Sequence, residues 1–227
     1  MAMMSRLRQL IRRPRSTSMV GVRRPSETRR RGDTVHEDAL RAMLHDDPND
    51  ERAFSALAEL VRRHATEPDN PEDPLTAEPE EEPVGAADLA LWSLAEELAG
   101  HPKAWRPLVE LGRLSVGDDP EGAVRRFTTA AERDPSGVAL ATSLEILREA
   151  DMPVEALGLG VGHWRTREQV PEVGRQLVLA AVEADRLFEA RQHLEALDTH
   201  PESGQVEAMR RDLVVAIEAA EARQSST

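Results

Sequence analysis

The chain has no cysteine and no tyrosine, three phenylalanines, three tryptophans and a single lysine, Lys103, among its 227 residues. Without cysteine there is no disulfide framework, no thiolate metal site and no cysteine nucleophile. No run approaches the roughly 18 consecutive apolar residues that a membrane-spanning helix needs. The first apolar cluster, Leu7 to Ile11, is broken by Arg8 and Gln9, which is too short for a secretory signal core. Together these absences predict a cytoplasmic protein. Alternating β-branched runs are missing too. Alanine, leucine, glutamate and arginine dominate instead, and these side chains lose little rotamer freedom in a helix. The composition predicts an all-α chain.

A net charge of −13 hides a division. Residues 1–32 hold ten arginines against one acid, Glu27, and carry +9; the remainder carries −22. Residues 65–84 form a second biased stretch, with eight acids, no basic residue and five prolines. Neither stretch can bury enough apolar surface to fold alone. The expected organisation is a basic arm (1–32), first helices (33–64), an acidic proline-rich insertion (65–84), a repeat region (85–202), a C-terminal helix (203–223) and a short tail (224–227).

What is present is a period. Ala90, Ala123, Ala156 and Ala190 stand 33, 33 and 34 residues apart. Each opens a similar helical pattern: Ala90-x3-Leu94, Ala123-x3-Phe127-x2-Ala130 running on to Pro135, Ala156-x3-Gly160, and Ala190-x3-Leu194. Ahead of each lies another helical motif, clearest in Leu108-x2-Leu111-Gly112-x2-Ser115. Small residues suit positions where two helices cross closely, and a proline expels the preceding residue from the helical region. Each helix pair leaves an apolar face that only a stacked neighbour can cover. An ordinary helical bundle is the competing architecture, but it does not require one small residue at 33-residue steps.

These residues resemble the tetratricopeptide repeat family over roughly residues 50–202, most closely from Leu111-Gly112 to Asp134-Pro135. Gly160 and Leu194 stand where the family favours an aromatic, Ser115 where it favours tyrosine, and the span from Gly112 to Ala123 is one residue short. The resemblance implies a right-handed α-solenoid of antiparallel helix pairs with a C-terminal capping helix. It also implies a non-catalytic scaffold that binds a protein or peptide in a groove lined by the first helix of each pair. Helices are expected near 35–45, 51–64, 86–100, 103–117, 120–133, 136–150, 153–164, 171–184, 187–198 and 203–223.

The side chains expected to face that groove are Arg52, Arg62, Arg106, Arg113, Arg148 and Arg175, interspersed with Glu59, Val109 and Glu145. Arginine holds carboxylates through two parallel hydrogen bonds, so an acidic or phosphorylated partner is expected; the alternative is that these arginines pair with acids of their own chain. The acidic insertion could itself serve as a tethered pseudo-ligand. Arginine clusters in residues 1–32 offer a second surface, for nucleic acid or anionic lipid by charge alone. A transit peptide, a solubilising tail and a later start at Met19 are competing readings of the arm.

Catalytic constellations are absent from the sequence. The seven histidines form no H-x3-H pair, Gly158, Gly160 and Gly162 alternate inside a predicted helix, where close helix packing rather than a phosphate loop is expected of them, and no G-x-S-x-G elbow occurs. No cofactor, no metal and no enzymatic activity are expected. Trp92 and Trp105 are expected in the core, and Trp164 at a helix end, packed or serving as an exposed anchor.

Overall fold

The computed structural model describes residues 27–66 and 83–225, with side chains for 34–66 and 85–225. Ten α-helices occur among the described residues: α1 (Glu27–Asp46), α2 (Glu51–Thr66), α3 (Pro83–Ala99), α4 (Arg106–Ser115), α5 (Pro120–Arg133), α6 (Val138–Glu149), α7 (Pro153–His163), α8 (Glu172–Glu183), α9 (Leu187–Leu197) and α10 (Ser203–Ser225). No strand is found among them. α1 begins at Glu27, so the predicted arm of residues 1–32 ends inside a helix; beyond Pro25 nothing in the sequence interrupts it. The rest of the arm and most of the insertion, with their expected roles, lie outside the described residues. The insertion is also shorter than expected, since α2 runs on to Thr66 and α3 starts at Pro83. Proline suits a first helical position, where the missing N–H has no partner anyway.

Contacts divide the chain into two units, residues 1–36 and 37–227. Of the first, the opening of α1 is described. In the second, each helix from α2 onward packs on its successor; α4 also meets α6, α5 meets α7, α6 meets α8 and α8 meets α10. Local chemistry sets the helix ends. Asp119 caps α5 by accepting from the Gly122 N–H at 2.8 Å, with Pro120 at the first position. Asp134, buried past the end of α5, accepts from the Ser136 N–H at 3.0 Å and the Ala139 N–H at 2.7 Å, which starts α6. Pro135 follows it directly. Gly137 takes a positive φ of 84°, and a Cβ there would stand 2.6 Å from the Cβ of Gln169.

The periodic small residues sit where helices cross. Ala123, Ala156 and Ala190 are fully buried, as are Phe127 and Ala130, with Leu94, Leu111 and Leu194 nearly so. Gly112 faces the ring of Phe127, and Gly160 faces Leu177. Burial of one such leucine or phenylalanine contributes about 1.5–3 kcal/mol. Ala90 departs from the pattern: it stays half-buried in an open cleft of about 500 Å³, shared with Val61, Ala65 and Leu94. Among the described residues there are two apolar clusters. The smaller joins Leu40, Leu44, Phe54, Leu57, Leu91 and Leu94; the larger runs from Val109 to Ile217.

Three expectations need correction. Val109 does not face a groove; it is buried in the larger cluster. Trp92 and Trp105 are half-buried, because each offers a ring face to an arginine, Arg126 at 5.0 Å and Arg106 at 4.8 Å. Of the alternating glycines, Gly160 alone mediates close packing; a Cβ on Gly158 or Gly162 would meet nothing within 4 Å.

Polar ties link alternate turns. Asn49, between α1 and α2, accepts from the Trp105 and Arg106 N–H groups and donates to the Lys103 carbonyl, all at the α3–α4 turn. Arg133, ending α5, donates to three carbonyls at that same turn: Ala99 (3.0 Å), His101 (3.1 Å) and Ala104 (3.0 Å). The Val170 N–H donates to the Ser136 carbonyl at 2.9 Å, joining the α7–α8 and α5–α6 turns. His200 Nε2–H donates to the Gln169 carbonyl at 2.7 Å, while its Nδ1 accepts from the Glu202 N–H. That last tie joins the α9–α10 turn to α7–α8.

Candidate binding groove

The six arginines expected to form one surface divide into groups. On α2 and α4, Arg62 and Arg113 approach the same carboxylate. Arg62 Nη2 lies 3.9 Å from Glu110 Oε1, and Arg113 Nε lies 3.4 Å from Glu110 Oε2. Arg62 also comes within 3.6 Å of Asp88 on α3. These separations are ion pairs without hydrogen bonds. Arg106 is held differently: its Nε donates to the Asn49 carbonyl at 3.0 Å, its Nη2 reaches Glu51 at 3.5 Å, and its guanidinium covers Trp105. Arg52, exposed at the start of α2, lines a shallow cleft with Asp50, Glu51 and Ser55 and has no hydrogen bond or ion pair among the described residues.

On α6 and α8 the donors are engaged. Arg148 donates from Nε to Glu183 at 2.9 Å, from Nη2 to the same carboxylate at 2.5 Å, and from Nη1 to Gln176. Gln176 is buried and donates to Glu172 at 2.8 Å, and Glu172 also receives Arg175 at 2.7 Å. The structure therefore brings Arg148 and Arg175 into one closed network. Glu59 and Glu145 are exposed, as expected of surface positions.

Sequence reasoning missed two further arginines. Arg41 on α1 donates to both oxygens of Glu97 on α3, at 2.6 and 2.8 Å, and to Glu37 at 3.2 Å. The hydrogen bond to Glu97 raises its pKa, against a smaller cost of burial. Arg126 on α5 donates to the Ser115 hydroxyl at 3.1 Å and stacks on Trp92. Neither partner was legible, since each lies on another helix.

Trp164 ends α7 half-buried. Its ring meets His193 of α9 edge-on, with centroids 6.2 Å apart and planes at 72°, and its Cζ2 would crowd any Cβ on Gly174. Trp164 Nε1 and His193 Nε2 are both enclosed without a partner. Among the described residues there is no cluster of three or more His, Cys, Asp or Glu arranged to hold a metal, and no helix long and apolar enough to cross a membrane. No protein-family model, no characterised protein and no solved structure matches this chain.

Proposed function

We propose that this chain is a non-catalytic, cytoplasmic scaffold of the tetratricopeptide type, a right-handed α-solenoid of antiparallel helix pairs that binds a protein or peptide partner. The observation that carries this reading is the packing pattern, in which each helix from α2 onward meets its successor and α4–α6, α5–α7, α6–α8 and α8–α10 also meet. In that pattern the fully buried Ala123, Ala156 and Ala190 repeat at 33–34 residues. Such stacking leaves one face of alternate helices to solvent along the whole array, which is a surface suited to an extended ligand. The preference for an acidic partner rests on α2 and α4, because the arginines of α6 and α8 are engaged by their own chain.

The test is affinity capture from the native host's lysate with three baits: the full chain, the chain lacking residues 1–32, and Arg52→Glu/Arg113→Glu. A protein retained by the first two and lost from the third supports the scaffold reading. Recovery of nucleic acid or ribosomal protein that vanishes with residues 1–32 replaces it with a nucleic-acid-associated role for the arm.

A further inference from the structure

We propose that Glu110 is an internal counter-ion that holds, in the free protein, the place a partner's carboxylate takes between Arg62 and Arg113. This rests on the preceding reading that α2 and α4 face an acidic ligand. Geometry separates this pair of arginines from the hydrogen-bonded ion pairs that join helices elsewhere in the fold. Unlike the longer pairs at α5, the α7–α8 turn and α9, it places two arginines from different helices on one largely shielded carboxylate. Arg41 and Arg148 each grip a carboxylate through hydrogen bonds of 2.5–2.9 Å from a defined donor set. Arg62 and Arg113 stand 3.9 and 3.4 Å from Glu110 and make no hydrogen bond to it.

The exposures point the same way. The two guanidinium side chains are 45% and 47% exposed, whereas that of Glu110 is 18% exposed. One shielded carboxylate thus lies beside two half-exposed guanidinium groups, of which that of Arg62 also stands 3.6 Å from the exposed Asp88. A guanidinium has five N–H donors, and a carboxylate that engages two of them in parallel gains a charge-assisted pair. Arg52, unpartnered and ten residues before Arg62 on the same helix, adds a third cation about 15 Å along the axis. A single free carboxylate must displace Glu110, which is tethered and so present at high effective concentration. A run of carboxylates reaching both Arg52 and the Arg62–Arg113 pair does not depend on that one exchange. The fitting partner is an acidic peptide segment, and Glu110 sets how acidic it must be.

Fluorescence anisotropy of a labelled ten-residue polyglutamate peptide, titrated with the full chain at low and physiological salt, tests this. Glu110→Gln is expected to tighten binding roughly threefold, the scale of one exposed ion pair. Glu121→Gln, which makes the same charge change at a fully solvated position of α5, should have no such effect. Arg62→Gln/Arg113→Gln is expected to weaken binding about tenfold, while Arg125→Gln on α5 leaves it unchanged; helical circular dichroism checks that each variant is folded. If Glu110→Gln does no more than Glu121→Gln, the counter-ion role is overturned although an acidic preference survives. If no variant binds the peptide, both the role and the acidic preference fall. The scaffold reading itself is then decided by the lysate capture.

Discussion

Gly112 and Phe127 meet across α4 and α5 so closely that a Cβ on the glycine would stand 2.2 Å from the Cε1 of the ring. Phe127 is fully buried, so any movement of its ring has to displace core neighbours. Gly112→Ala should therefore destabilise the protein despite the gain in helix propensity. Overpacking costs about 1–3 kcal/mol, and replacing a helical glycine returns about 1 kcal/mol. The net expectation is a loss of up to about 2 kcal/mol, read as a lower urea midpoint. In a Phe127→Leu background the same change should be close to neutral, because the two sites are coupled. A Gly112→Ala variant more stable than the parent would show that the crossing is not tight.

The three glycines of α7 should respond with opposite signs. A Cβ on Gly160 would meet Leu177 at 2.5 Å and Leu144 at 3.1 Å, whereas Gly158 and Gly162 look onto open space. Gly158→Ala and Gly162→Ala should each stabilise by up to about 1 kcal/mol through helix propensity and reduced chain entropy. Gly160→Ala should destabilise. Thermal unfolding of the three single variants gives the comparison, and destabilisation by all three would contradict the packing described here.

Acidification should weaken the seam between Trp164 and His193. Burial lowers the pKa of His193 below its ordinary 6.5, partly offset by Glu189 one turn earlier on α9. The unfolded chain therefore binds the proton more readily than the folded one, so this site's stability is intact above about pH 6.5 and declines as pH falls toward the lowered folded value. Urea midpoints measured between pH 7.5 and pH 5 should fall, and His193→Phe should flatten that fall by the histidine's share. An identical pH profile in His193→Phe would exclude His193 as its source.

The all-helical character and the spacing of the buried small residues were legible because both are written in residue type and size. Ala123, Ala156 and Ala190 stand 33 and 34 residues apart and are fully buried, where a larger side chain would have to displace a neighbour. Pro120, Pro135 and Pro153 mark boundaries for reasons confined to their own peptide units, which is why α5 and the start of α7 fall where the sequence places them. The charge pairing was not legible. Arg148 finds Glu183 and Arg41 finds Glu97 across 35 and 56 residues, and nothing local distinguishes an arginine so engaged from one left to solvent, such as Arg52. Asn49, Arg133 and His200 were invisible for a further reason. Each spans two turns, but their partners across those turns are backbone N–H and carbonyl groups, which carry no side-chain signature.

Those ties occur at one set of turns, α1–α2, α3–α4, α5–α6, α7–α8 and α9–α10. Among the described residues no hydrogen bond joins one turn of the other set to the next, and residues 67–82 lie between α2 and α3, in that second set. Extra chain placed there leaves every tie standing, whereas extra chain at Ser136 or Gln169 pulls two neighbouring turns apart at once. The molecule therefore has a fixed margin and a permissive one. It can be lengthened, tagged or given a new loop at the α4–α5, α6–α7 or α8–α9 turn without loosening its stitching.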